Sequence, residues 1–70
     1  MEQFNLVGVD GNAFSVMGYV INAMRKCRLS KEDRDAYTKE AMSSDYDHLL
    51  SVSLDMVDKC NEIYASMFSN

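Results

Sequence analysis

Seventy residues, 47% of them apolar, with a net charge of −4, make one domain near the size at which a single core is only marginally stabilising. Two cysteines and one histidine, with no Cys-x-x-Cys pair, exclude a disulfide framework and a structural zinc site, and leave self-association as the route to extra stability. The acidic balance argues against nucleic-acid binding, but the charge is lopsided: residues 25–35 hold five cations against three acids, and the rest of the chain two cations against eight acids.

Residues 3–9 alternate, with Phe4 and Leu6 on one face, and read as a short strand or extended arm. A lone strand cannot satisfy its own backbone, so it pairs with another chain or lies along a helix, and the first option points to an oligomer. Asp10-Gly11-Asn12 is a turn, and Asp10 or Asn12 caps the helix that follows. From Ala13 to about Cys27, the residues Ala13, Phe14, Met17, Val20, Ile21, Met24 and Cys27 keep the i, i+3, i+4, i+7 spacing of an amphipathic helix, with Val16 and Ala23 widening the stripe. Gly18 in mid-helix would suit the close approach of another backbone.

Ser30 caps a second helix with acids in its first turn, running to about Met42. Its apolar content is thin, which predicts a surface position. Ser44 or Asp45 caps the third and longest helix, about 46–67. Some 22 residues span ~33 Å, longer than the other two helices. The spacing therefore predicts that Ile63, Tyr64, Met67 and Phe68 overhang and meet a partner chain. The expected fold is thus mainly α: an N-terminal strand or arm, then three helices, the last one long, as a single domain over residues 1–70 that self-associates. No stretch approaches the ~18 uncharged apolar residues of a membrane span. The start of the chain lacks a basic segment leading into an apolar run, and the thiols suit a reducing compartment. A cytoplasmic location, with no membrane or nucleic-acid partner, is expected.

Chemistry has few places to sit. His48 lies within Asp45-Tyr46-Asp47-His48, but no second His or Cys stands one turn away, and the cluster reads first as a capped helical turn. No nucleophile elbow or complete phosphate loop is present. No catalytic residue, metal or cofactor is predicted. The Asp10-Gly11-Asn12 turn offers backbone donors at a helix start, Arg25 and Arg28 offer cations, and Tyr46, Asp47 and His48 offer an aromatic wall and polar groups. Together they make a candidate ligand site of nucleotide-like chemistry. If the first and third helices pack antiparallel, these two turns lie at opposite ends of a subunit, and only a symmetric dimer brings them together. The bland alternatives are a strand-to-helix turn, a solvated helix end and a pair of caps. Met17, Met24, Met56 and Met67 fit core or interface packing.

Leu6-Val7-Gly8-Val9-Asp10-Gly11-Asn12-Ala13-Phe14, Met17-Gly18 and Glu40-Ala41-Met42-Ser43-Ser44-Asp45-Tyr46-Asp47-His48-Leu49-Leu50 resemble a family of short proteins of phages, prophages and other mobile elements. Two ordered motifs, DGNAF and SxDYDHLL, carry the likeness over roughly residues 5–58. The tail from Lys59 to Asn70 is longer and more apolar than the family pattern, so self-association could belong to this member alone. The resemblance implies a mobile-element setting, hence a host-cell cytoplasm, and transfers no activity. By analogy with such accessory proteins, two functions are expected: capture of a nucleotide-derived signalling molecule, or inhibition of a host defence protein by direct binding. A structural oligomer or weak transcriptional regulator trails both.

Overall fold

A computed structural model describes residues 3–68. Met1 and Glu2, which enter the reading of the chain's start, and Ser69 and Asn70 of the apolar tail lie outside the described residues. Three helices follow in order: α1 (Ala13–Lys26), α2 (Lys31–Ala41) and α3 (Tyr46–Met67). Each begins at a residue whose side chain takes an orphan backbone donor. Asn12 accepts from the Phe14 N–H, Asp45 from the His48 N–H, and Ser30 forms a reciprocal capping box with Asp33.

α1 ends in a Schellman motif. The Leu29 N–H reaches the Met24 carbonyl at 2.9 Å and the Arg28 N–H the Arg25 carbonyl at 3.0 Å. Arg28 occupies the left-handed position (φ 67°) where glycine is usual. Two four-residue connections, 27–30 and 42–45, reverse the chain twice, so α1 and α3 run parallel and pack directly on each other, with α2 antiparallel to both. Contacts at the two ends agree: the Tyr46 hydroxyl donates to the Gly11 carbonyl at one end, and the Cys60 and Cys27 thiols meet at the other.

The core is drawn from Val16, Met17, Val20, Ala23, Met24 and Cys27 of α1, Tyr37 and Ala41 of α2, and Leu49, Val57 and Cys60 of α3. α2 contributes only those two residues, so it lies at the surface as its sparse apolar pattern predicts. Ser53 is fully buried, and its hydroxyl is satisfied by Tyr37 Oη at 2.6 Å. That bond ties the middle of α2 to the first half of α3. Phe14, predicted on the buried stripe of α1, is instead 75% exposed. The buried face of α1 is Val16, Met17, Val20, Ala23, Met24 and Cys27, and at 100° per residue Phe14 falls outside that arc. A Cβ at Gly18 would meet nothing within 4 Å, so no backbone approaches there.

Residues 3–9 form no strand. Phe4 is buried and stacks edge-on against Tyr64, ring centroids 5.3 Å apart. The Asn61 side-chain amide then does what a neighbouring strand would do. Its Oδ1 accepts from the Gln3 and Phe4 N–H groups at 2.9 and 2.7 Å, and its Nδ2 donates to the Phe4 carbonyl at 2.9 Å. The Asn5 N–H donates to Tyr19 Oη at 2.9 Å. Asn5 Oδ1 accepts from the Val7 N–H at 2.8 Å and the Val9 N–H bonds the Leu6 carbonyl at 3.1 Å. Gly8 (φ 87°) supplies the positive φ that a turn of this kind requires at its third residue. The alternation of Phe4 and Leu6 is real, but the turn stops any strand. The arm lies along α1 and α3 of its own chain.

That placement also answers for the overhang of α3. At about 33 Å, α3 is eight residues, about two turns, longer than α1, and the long dimension of the molecule is 40 Å. Ile63, Tyr64 and Met67 are half-buried and pack against the core, with Phe4 covering Tyr64. Phe68 stacks on Tyr64 at 4.9 Å but remains exposed. Three of the four predicted interface residues therefore make contacts within the chain while staying only half-buried.

Candidate functional site

The end of the bundle where α1 and α3 begin and α2 finishes is the open one. A cleft of ≈ 250 Å³ lies between Ala13, Phe14 and Met17 of α1, Ala41 and Met42 at the end of α2, and Tyr46 and Leu49 of α3, with Ser44 and Asp45 on its edge. Its floor is core (Met17, Ala41, Leu49), and its rim carries large apolar groups that face water. Met42 is 59% exposed and Tyr46 40%, beside the still more exposed Phe14. Local sequence dictates this rim. Asn12 must cap α1, which places Phe14 in the first turn, and the 42–45 connection must reverse the chain, which leaves Met42 without a covering element.

The two turns predicted to shape a ligand site converge here within one subunit. The antiparallel premise was wrong, because two short connections make α1 and α3 parallel, and no dimer is required. The Tyr46 hydroxyl bonds the Gly11 carbonyl, fixing the 10–12 turn against the first turn of α3. Two donors at this turn are already engaged. Asn12 Oδ1 takes the Phe14 N–H at 2.8 Å and Asp10 Oδ1 the Asn12 N–H at 3.3 Å, which removes two of the groups an anion would use. Asp47 is exposed in the first turn of α3.

Arg25 and Arg28 are not brought to this end. They stand at the far terminus of α1, whose 14 residues span about 21 Å. Both are exposed. Among the described residues, neither takes part in an ion pair.

His48 turns away from the cleft. Its Nε2 lies 2.9 Å from Glu40 Oε2, 3.0 Å from the Glu40 carbonyl and 3.3 Å from Ser43 Oγ, closing the corner between α2 and α3. Sequence reading missed Glu40 and Ser43 because their spacing to His48 crosses a chain reversal, where helical periodicity carries no information. A Ser–His–Glu set invites comparison with a nucleophilic triad, but serine and glutamate here approach the same imidazole nitrogen. A triad needs the carboxylate on one nitrogen and the hydroxyl on the other. Ser43 Oγ also donates to the Glu40 carbonyl at 2.7 Å. The cluster is a helix C-terminal clasp.

A second hollow of ≈ 360 Å³ runs between α2 and α3, lined by apolar groups including Ala36, Val52 and Met56, with Asp33, Glu40 and Lys59 at its edges. Burial, reinforced by contact with Cys27, pushes the Cys60 thiol up to about 12, so it is a protonated core thiol rather than a nucleophile. Among the described residues, no group of three or more His, Cys, Asp or Glu could hold a metal ion, and no helix is long and apolar enough to cross a membrane.

No family model, curated protein or solved structure matches the chain. The functional reading therefore rests on the open cleft, its apolar rim and the turns beside it.

Proposed function

We propose that this chain is a non-enzymatic binding protein that engages another protein through the Phe14–Met42–Tyr46 end of the bundle. In the mobile-element setting implied by its DGNAF and SxDYDHLL motifs, that partner is a host defence protein, which the chain inhibits by contact. The exposed Phe14, Met42 and Tyr46 around a cleft floored by the core carry this reading. Large apolar and aromatic side chains grouped at a cleft are the usual anchors of protein recognition. The cleft is smaller than most small-molecule sites, which run from roughly 300 to 1,000 Å³. It holds one or two side chains more readily than a nucleotide.

One observation favours the second reading, capture of a nucleotide-derived signal: the 10–12 turn and Tyr46 do meet in a single subunit. The remoteness of Arg25 and Arg28 weighs against it, since no cation of that pair can neutralise a phosphate at the cleft of the same subunit.

The test is a plaquing assay in hosts carrying a panel of defence systems. The wild-type chain should restore phage growth against at least one system, and Phe14→Ser, still helical by circular dichroism, should lose that effect. Retained rescue by Phe14→Ser together with a bound nucleotide in native mass spectra would favour the second reading. Failure against the whole panel would remove the defence role.

A further inference from the structure

The proposed contact surface has a charge as well as an apolar centre, and the charge says what flanks the anchor of the partner. Two turns adjoin the cleft: 42–47, which lends Met42, Ser44, Asp45 and Tyr46 to its lining, and 10–12, held beside it by the Tyr46 hydroxyl; together they contain Asp10, Asp45 and Asp47 and no lysine or arginine. All three acids are exposed, and Asp45 stands on the cleft edge itself.

All cations but Lys39 are elsewhere or engaged, Lys59 lying beside Cys60 on α3. Arg25, Lys26 and Arg28 close the far end of α1. Arg34 donates to the Leu29 carbonyl at 3.0 Å, which holds it at that same far end. Lys31 pairs with Asp35 at 2.8 Å. Lys39, in the last turn of α2, is the one cation close in sequence to the framing turns.

Backbone dipoles oppose this charge only in part. The starts of α1 and α3 each contribute roughly half a positive charge and the end of α2 roughly half a negative one, a small sum beside three carboxylates. Their donors are also partly consumed by Asn12 and Asp45. An anion entering the cleft would therefore meet net repulsion, and a cation beside an apolar group would meet attraction at close range.

We infer that the occupant of the cleft is a short protein segment with one bulky apolar side chain flanked by lysine or arginine. The apolar side chain sits on Met17, Ala41 and Leu49 between Phe14 and Met42, and the flanking cations face Asp10, Asp45 and Asp47. This inference rests on the protein-binding reading above and adds the chemistry of the partner. It also separates the surface from a nucleotide site, whose ligand carries the opposite charge.

The test is selection of a random peptide display library on the immobilised full chain, followed by affinity measurement on synthesised winners. Enriched peptides should share one Leu, Ile, Met, Phe or Trp with at least two Lys or Arg close by. Their affinity should fall about tenfold or more with Phe14→Ser, as expected for loss of a central anchor. It should fall several-fold when salt rises from about 0.1 M to about 1 M, which shortens the Debye length from about 10 Å to about 3 Å. Asp45 caps α3, so the charge arm uses Asp10→Asn with Asp47→Asn, a pair expected to weaken binding while circular dichroism stays unchanged.

Peptides that depend on Phe14 but carry no cationic bias, or ignore the Asn pair, overturn the charge inference and leave the protein-binding reading standing. No enrichment, or enrichment indifferent to Phe14→Ser, overturns both.

Discussion

The two ends of this bundle treat most of their apolar side chains differently, although Phe68 at the overhanging end is itself 68% exposed. At the end where α3 overhangs, Tyr64, Ile63 and Met67 are packed against the core, and the arm lays Phe4 over Tyr64 and binds its backbone through the Asn61 amide. At the other end, Phe14 and Met42 stand in water around a cleft, and no segment of the described chain crosses it. A 70-residue chain with little core to spare thus commits an arm to covering one apolar seam and leaves another uncovered. The covered seam is explained by stability; the open one is not. This contrast is the physical basis for placing function at the Phe14 end.

The largest test of the contrast is Phe4→Ala. It should cost on the order of 3 kcal/mol in chemical unfolding, the usual loss for emptying a buried phenyl site. Deletion of residues 61–70 should likewise unfold the chain, since it removes Asn61 and Tyr64 together. A truncated chain that stays folded and merely changes its mass in light scattering would return the α3 tail to the role of subunit interface.

Alkaline titration probes the same end at its core. The Cys60 thiol rises from its ordinary 9.0 to about 12, chiefly through burial. Below pH 9 the thiol is protonated in both states, so the stability it contributes is fully present. Between 9 and 12 the unfolded chain gains stability by ionising while the folded one cannot, so stability falls as pH rises through that window. Tyr37, raised above its ordinary 10.0 by burial and partly offset by its bond to Ser53, steepens the loss above 10. Cys60→Ala should flatten the decline that begins at pH 9 and leave the tyrosine part.

The middle of the molecule gives a smaller effect. Tyr37→Phe or Ser53→Ala leaves one buried hydroxyl without its partner, at a cost of about 1–3 kcal/mol each. The double variant should lose less than the sum of the two, which a double-mutant cycle in urea would read directly. Gly18→Ala should act in the opposite direction. Its Cβ meets open space in an exposed helix interior, so thermal unfolding should show a gain of about 1 kcal/mol. A loss there would mean that a neighbouring chain approaches α1.

Much of the fold was legible because its signals are local. The caps Ser30, Asn12 and Asp45 and the period of the apolar residues set the three helices to within a residue or so of where they lie. The arm was half-legible. Phe4 and Leu6 showed their alternation, but the partners that satisfy its backbone, Asn61 and Tyr19, are single polar atoms on helices 57 and 14 residues away, and no periodicity announces them. The parallel course of α1 and α3 was present in the two short connections, and antiparallel packing did not follow from them. For the candidate site, the sequence marked Gly11, Asn12 and Tyr46 but enlisted Arg25 and Arg28 from the opposite end, because charge along a chain does not reveal distance across a fold. It also counted Phe14 as core. An apolar residue at the right helical spacing reads as buried unless the element that should cover it can be shown to be missing.

Thermal unfolding of Phe14→Ser beside Phe4→Ser tests most directly whether Phe14 is spare to the fold. If the Phe14 end is spare to the fold, Phe14→Ser should melt within about 0.5 kcal/mol of the wild type, as surface substitutions do, while Phe4→Ser loses several-fold more. Comparable losses at both positions would show that Phe14 is a structural residue and contradict the assignment of the open cleft to binding.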